Sequence, residues 1–252
     1  LFCPALAIGQ KHATAEPVYA AGNYFVVHAS LVHKNSDAAL SGVQAYVSVP
    51  GPYFQMATAT SNENGELEFL LKDLDHPNQL IFQAAATSDS DVVFHLDQQY
   101  VSRLALPKGV DSFPVYDTTA FYGYPDKTYL LDEYTRFPTM EEVIREFVFE
   151  AKARKTGGDF RFYVLNVPYR LYFDDAPLIL LDGVPVKDPN KVMELDPLKI
   201  RKIDIVGRKY YFGNAIFSGI ISLFSYTGDL GGYKLPANAM VKDYDGKFME
   251  NF

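Results

Sequence analysis

The side chains that could do chemistry are few, and their spacing does not bring them together. All five histidines (His12, His28, His33, His76 and His95) precede residue 100. His28 and His33 sit in one run of high strand propensity with opposite parity. An alternating backbone sends them to opposite faces, so no shared metal is expected. Asp174-Asp175 and Asp73/Asp75 are the closest carboxylates to a pair. Acid/base carboxylates normally come from separate elements lining a cleft, and adjacent aspartates ahead of Pro177 read as solvated turn residues. Asp73-Leu74-Asp75-His76-Pro77-Asn78 offers oxygen ligands without the spacing of a calcium loop. The single cysteine, Cys3, has no partner within the chain for a disulfide. The chain contains no G-x-S-x-G, H-E-x-x-H, P-loop or G-x-G-x-x-G. The expectation is therefore a non-enzyme with no catalytic residue, no metal site and no cofactor.

Tyrosine is the residue type left with binding potential. Residues 106–138 are irregular and rich in proline, and they hold Tyr116, Tyr122, Tyr124, Tyr129 and Tyr134. Tyrosine-rich irregular surfaces are favoured at interfaces. Tyr122, Tyr124, Tyr129 and Tyr134 are accordingly the candidate ligand-binding set, for a protein partner or a glycan stacked on the rings. Packing between domains competes with that reading, and Trp, the strongest sugar platform, is absent.

Composition sets the frame for these residues. Of 252 residues, 48% are hydrophobic and 21% charged, which suits a globular chain with a sizeable core. Net charge is −8, with 5 basic and 11 acidic side chains in residues 1–114. Neither half carries the basic footprint of a nucleic-acid binder. No run approaches the roughly 18 apolar residues of a membrane-spanning helix. The apolar start, Leu1 to Gly9, reads as a first strand or the remnant of a signal sequence, and the missing initiator Met suggests a piece of a longer precursor.

The elements that must position everything else fall into two kinds. Residues 15–105 read as short strands. Tyr24 to Val32 has high strand propensity, and Val43, Ala45, Val47 and Val49 alternate with polar residues. Ser61-Asn62-Glu63-Asn64-Gly65 is a turn, after which Leu67, Phe69 and Leu71 alternate with Glu66, Glu68 and Lys72. This spacing predicts a β-sandwich. From Thr139 the pattern changes. Thr139-Met140-Glu141-Glu142 is a capping box. Met140, Val143, Ile144, Phe147 and Val148 follow as one helical stripe, with Lys152, Arg154 and Lys155 assigned to the helix end. Short strands are expected at Phe160–Val164, Leu178–Leu181, Ile203–Val206 and Gly219–Phe224, with a loop over Tyr210–Gly213. Asp182-Gly183 is a tight structural turn, and Asp188-Pro189 starts a short helix.

Pro177-Leu178-Ile179-Leu180-Leu181-Asp182-Gly183-Val184-Pro185-Val186 resembles the plug-domain hairpin of TonB-dependent receptors of Bacteroidetes type. Leu195 to Val206, Tyr211-Phe212-Gly213 and Ser218 to Leu223 resemble later plug elements in the same order, so the resemblance covers about residues 137–228. The first half more loosely resembles macroglobulin or carboxypeptidase-regulatory-like sandwiches, through Ala20 to Phe25, Leu40 to Val43 and Ser61 to Phe69. Cys3-Pro4 rules out a macroglobulin thioester, Cys-Gly-Glu-Gln. A receptor's plug is followed by a barrel of about 22 strands, whereas 24 residues follow Gly228 here.

The resemblance thus implies a two-domain chain: an all-β Ig-like sandwich over residues 1–106, a Pro/Tyr-rich bridge over 107–136, and an α+β plug-like domain over 137–252. It implies a binding or scaffolding protein of the Gram-negative cell envelope, in the periplasm or at the outer membrane. The implied partner is an envelope protein, with glycan as the alternative ligand of a nutrient-uptake system.

Overall fold

A computed structural model describes residues 23–51, 54–74, 78–85, 91–104, 121–212 and 215–250. The readings of Leu1–Gly9, Cys3, His12, Asp75, His76 and Tyr116 lie outside these residues, as do residues 107–120 of the expected bridge.

Alternation of apolar and polar residues builds the first seven strands. They are β1 (Tyr24–His33), β2 (Gln44–Val49), β3 (Gln55–Thr60), β4 (Glu66–Lys72), β5 (Asn78–Ala84), β6 (Val92–His95) and β7 (Val101–Arg103). Phe25, Val27 and Leu31 of β1 and Leu67, Phe69 and Leu71 of β4 face Ala45 and Val47 of β2 and Phe82 of β5 across one buried core. In β4 the opposite parity, Glu66 and Glu68, faces water, while in β2 and β5 the opposite parity, Tyr46, Ser48, Ile81 and Gln83, is buried as well. The result is two sheets packed face to face, a β-sandwich.

The second half begins with β8 (Lys127–Leu130), inside the stretch expected to be an irregular bridge. The N-cap half of the capping box then forms: the Thr139 hydroxyl accepts from the Glu142 backbone N–H, while the Glu142 carboxylate accepts from that hydroxyl at 2.8 Å. It starts helix α1 (Met140–Phe147). The helix stops earlier than its apolar stripe suggested. Lys152, Arg154 and Lys155 belong to a strand, β9 (Ala151–Thr156), which pairs with β10 (Asp159–Asn166). Gly157 and Gly158, at φ 63° and 102°, make the two-residue turn between them, and that hairpin ladder outcompetes another turn of helix. The chain continues through β11 (Leu171–Tyr172), β12 (Leu178–Leu181), β13 (Val184–Pro185) and α2 (Pro189–Met193). Asp188 caps α2 by accepting from the Asn190 N–H at 2.9 Å. The long hairpin β14 (Ile200–Phe212) and β15 (Ala215–Ser225) follows. The loop expected at Tyr210–Gly213 is therefore strand as far as Phe212. Gly207 and the charged pair Arg208-Lys209 interrupt the apolar alternation at a register shift between Val206 and Lys209, which hid the strand's continuation.

The order β13-β12-β15-β14-β8 makes a mixed central sheet, with β12 parallel to β15. Its two faces are both buried. Ile179, Leu181, Ile203, Ile205, Ile221 and Leu223 face α1, α2 and β10. Leu178, Leu180, Val206, Ile220 and Phe224 face Tyr46, Phe54 and Met56 of the sandwich. Burial on both faces explains why Leu178-Ile179-Leu180-Leu181 is uninterruptedly apolar.

The expected second domain ran to residue 252. Strands β16 (Met240–Tyr244) and β17 (Met249–Glu250), at the end of that range, instead pair with β5 and β7 of the sandwich. The chain leaves the sandwich, builds the central sheet and returns. Nothing local in Met240–Tyr244 distinguishes a strand that completes a distant sheet from one that extends a near one.

The join between the halves centres on Phe54. Its ring lies 5.6 Å from Phe224, 6.0 Å from Phe121 and 6.1 Å from Tyr122, measured between centroids. It also covers the Asp182-Gly183 turn. Gly183 has φ 85°, and a Cβ there would lie 2.3 Å from the Phe54 ring. Phe54→Ala is expected to cost about 3 kcal/mol through the cavity it leaves. Gly183→Ala is also destabilising, but less so in the Phe54→Ala background. Denaturant unfolding of both single variants and the double variant checks this, and simple additivity would remove the contact from the account.

Candidate functional site

The four candidate tyrosines do not form a platform. Tyr122 is buried at 3% exposure, and its hydroxyl donates to the Asp204 carboxylate at 3.3 Å. Asp204 also accepts from the Thr128 hydroxyl at 2.7 Å and the Lys202 ammonium at 2.8 Å. Burial is the main force pushing the Tyr122 phenol well above its ordinary range, with the Asp204 charge adding to it. Tyr129 is buried in the core of the second half, hydrogen-bonded to the Glu150 carboxylate. Burial and that carboxylate raise its phenol too. Tyr134 is half-buried, with its ring 6.2 Å from Tyr129 and 4.6 Å from Phe147. Tyr124 alone is exposed, at 80%. Tyrosine content signalled packing here, because rings that must satisfy a hydroxyl can do so inside a polar network as well as at a surface.

The structure places a larger concavity elsewhere. A cleft of about 1020 Å³ runs between the halves. One wall is the start of β10 with Phe160, Arg161 and Tyr163; another is Tyr233–Pro236; Tyr46 and Ala85 come from the sandwich side. Its deeper lining includes the buried Leu178, Ile179, Pro185 and Val186. The charged groups, Asp159, Arg161, Asp174, Asp175, Lys187, Asp188, Lys191 and Lys234, are all exposed. An apolar floor with aromatic walls and a mixed-charge rim is the usual composition of a binding cleft. Its parts are distant in sequence, and no local motif announces them. Asp174-Asp175, read from sequence as solvated turn residues, are exposed and sit on its rim.

The Asp182-Gly183 turn positions one wall of this cleft. Asp182 is only 2% exposed and has φ 49°. One carboxylate oxygen accepts from the Ser225 N–H at 2.8 Å. The other accepts from the Ser225 hydroxyl at 2.6 Å and the Leu230 N–H at 2.9 Å. The side chain therefore clamps the end of β15 and the start of the segment that leads to Tyr233–Pro236. Gln83, from the sandwich, donates to the Pro185 carbonyl at 3.1 Å just past the turn. Both halves are thus tied to the same hairpin by buried polar contacts.

One arrangement on the sandwich has the order of a hydrolase triad. His28 Nε2 lies 2.9 Å from the Ser102 hydroxyl, and His28 Nδ1 lies 3.6 Å from Glu68 Oε1. They occupy the adjacent strands β7, β1 and β4. Ser102 is 2% exposed, so an acyl carbon cannot approach its oxygen, and the trio is read as a cross-strand polar ladder. His33 lies at the end of β1 with the opposite parity to His28, as the alternation required. Among the described residues no group of three or more His, Cys, Asp or Glu is arranged to hold a metal ion. No helix among them is long and apolar enough to cross a membrane.

Comparison with protein-family models, curated proteins and solved structures finds no match for this chain.

Asp182→Ala leaves the Ser225 and Leu230 N–H groups without their acceptor in a buried site. It is expected to cost about 3 kcal/mol and to speed amide exchange over residues 226–236. Hydrogen exchange with mass readout checks this. A stability loss with unchanged exchange in that segment would show that Asp182 does not hold the cleft wall.

Proposed function

We propose that this chain is a non-catalytic binding and scaffolding module of the Gram-negative cell envelope, working in the periplasm or at the outer membrane as part of a larger membrane-associated protein. In this reading the first half is an Ig-like sandwich, and the second is a plug-like α+β unit used for protein contact. The observation that carries it is the composite cleft. Its walls come from both halves, and the buried contacts at Phe54, Gly183 and Gln83 hold those walls in register. A surface preorganised in this way binds without a large ordering cost. The exposed rim charges suit recognition by complementarity, since general acid/base chemistry favours carboxylates set apart by burial.

A second reading rests on the rings in the cleft. Phe160, Tyr163, Phe217 and Tyr233 stand beside Asp159, Asp174, Asp175 and Asp188. Aromatic faces with carboxylates that accept from hydroxyls are what a glycan would use, and this favours the cleft over the bridge tyrosines as a sugar site.

Affinity capture from a Bacteroidetes-type envelope extract separates the two. The full chain serves as bait, and a rim variant, Asp174→Lys with Lys191→Glu, serves as control. Both positions are exposed, so the fold is expected to survive. The scaffolding reading predicts a defined protein partner retained by the native chain and lost by the variant. Oligosaccharide retained in place of protein selects the glycan reading. A partner held equally by both baits would remove the cleft from the proposal.

A further inference from the structure

The β9–β10 hairpin concentrates positive charge in a chain of net charge −8. Residues 152–161 hold Lys152, Arg154, Lys155 and Arg161 against a single acid, Asp159. None of these four cations forms an ion pair among the described residues, whereas Arg136, Arg145, Lys191, Lys202, Arg208 and Lys247 all do. Several rest on rings instead. Lys152 lies 4.0 Å from the Tyr172 ring centroid, Lys155 5.2 Å from Phe160 and Arg154 5.9 Å from Tyr163. Arg154 and Arg161 are direct cross-strand partners, a like-charge pairing that works against the hairpin's own stability.

The same strand has an open backbone edge. In the order β11-β10-β9, β9 pairs on one side only. The Leu165 N–H bonds the Glu150 carbonyl at 2.7 Å, which sets the parity of the ladder. Antiparallel alternation then turns Lys152, Arg154 and Thr156 toward β10, and turns the N–H and C=O of Ala153 and Lys155 outward. Those outward groups have no hydrogen-bond partner among the described residues. The edge strand β4 is treated differently. The Gln55 side chain bonds both the N–H and the C=O of Lys72, at 2.9 and 2.8 Å, and Asn62 engages Glu66 at the other end. This chain blunts β4 and leaves β9 open.

We propose that β9 is a docking edge for an extended acidic segment of a partner protein, which adds as a strand beside it. Backbone bonds to Ala153 and Lys155 would fix the register. Acidic residues at alternate positions would lie on the face that carries Lys152 and Arg154, at cross-strand distance. The occupant is identified by charge complementarity and by the period of two that a strand imposes on the cations. The proposal rests on the reading that the chain works through protein contacts, and it names the chemistry of one such contact at a surface separate from the cleft floor.

The test uses the full chain and a short synthetic peptide with Glu at every second position and Val or Thr between. A peptide of the same composition with its Glu residues clustered, and inorganic polyphosphate, serve as probes of charge alone. The alternating peptide should bind most tightly and should slow amide exchange at Ala153 and Lys155. Lys152→Glu with Arg154→Glu should weaken it by about tenfold or more. Lys155→Pro should weaken it well beyond Lys155→Ala, since both remove the cation and only proline removes the outward donor; an edge strand tolerates that change. Equal binding of the clustered peptide or of polyphosphate would overturn strand addition, as would equal effects of Lys155→Pro and Lys155→Ala. Failure to bind the alternating peptide would also overturn it, leaving the cations as guards against self-pairing of the edge. The rim variant of the cleft keeps the two ideas distinct. It should bind the peptide normally, and an envelope partner captured through the cleft would stand even if the peptide is not bound.

Discussion

The fold depends on a ring meeting a turn that has no side chain. Phe54, just before β3, packs against Gly183, where φ is 85° and a Cβ would come within 2.3 Å of the ring. That contact sets how closely the sandwich can approach the central sheet. Around it gather Tyr46 and Met56 from one side and Leu178, Leu180 and Phe224 from the other. Asp182, the other residue of the turn, spends its carboxylate on Ser225 and Leu230. One two-residue turn therefore holds a hydrophobic seam on its glycine and a polar clamp on its aspartate. The cleft exists because these two constraints act on either side of the same hairpin.

The return of the chain reinforces this geometry. Strand β16 adds to β5 after the polypeptide has completed the central sheet. The second half is therefore an excursion between strands of the sandwich, held at both of its ends. Two tethers and a buried seam restrict hinge motion more than a single linker would. A binding surface built across the join benefits directly, because its walls are ordered before any ligand arrives.

Much of the local structure was legible in the sequence, and for identifiable reasons. The caps at Thr139 and Asp188 follow from hydrogen bonds made within a few residues, and the turn at Asp182-Gly183 from two neighbouring residues that accept positive φ. The alternation in β4 follows from burial on one face, whereas β2 is buried on both, with Tyr46 in the seam to the second half. What was missed is non-local or ambiguous in period. Ala151 to Thr156 follows an apolar helical stripe and carries cations that suit a helix end, yet the Gly157-Gly158 turn commits it to a hairpin with β10. The register shift after Val206 masked the full length of β14. Tyr122 and Tyr129 looked like a surface because nothing in sequence shows that Asp204 and Glu150 will meet their hydroxyls inside the protein. The cleft was invisible, since it is assembled from β10, the approach to β12, residues 233–236 and the sandwich.

The central claim is that the sandwich and the central sheet behave as one cooperative unit, with the cleft as its fixed product. Differential scanning calorimetry of the full chain tests it most directly. One transition is expected, with a calorimetric enthalpy equal to the van't Hoff enthalpy. Two resolved transitions, or a calorimetric enthalpy well above the van't Hoff value, would mean that the halves melt independently. The Phe54–Gly183 seam would then not hold the cleft together.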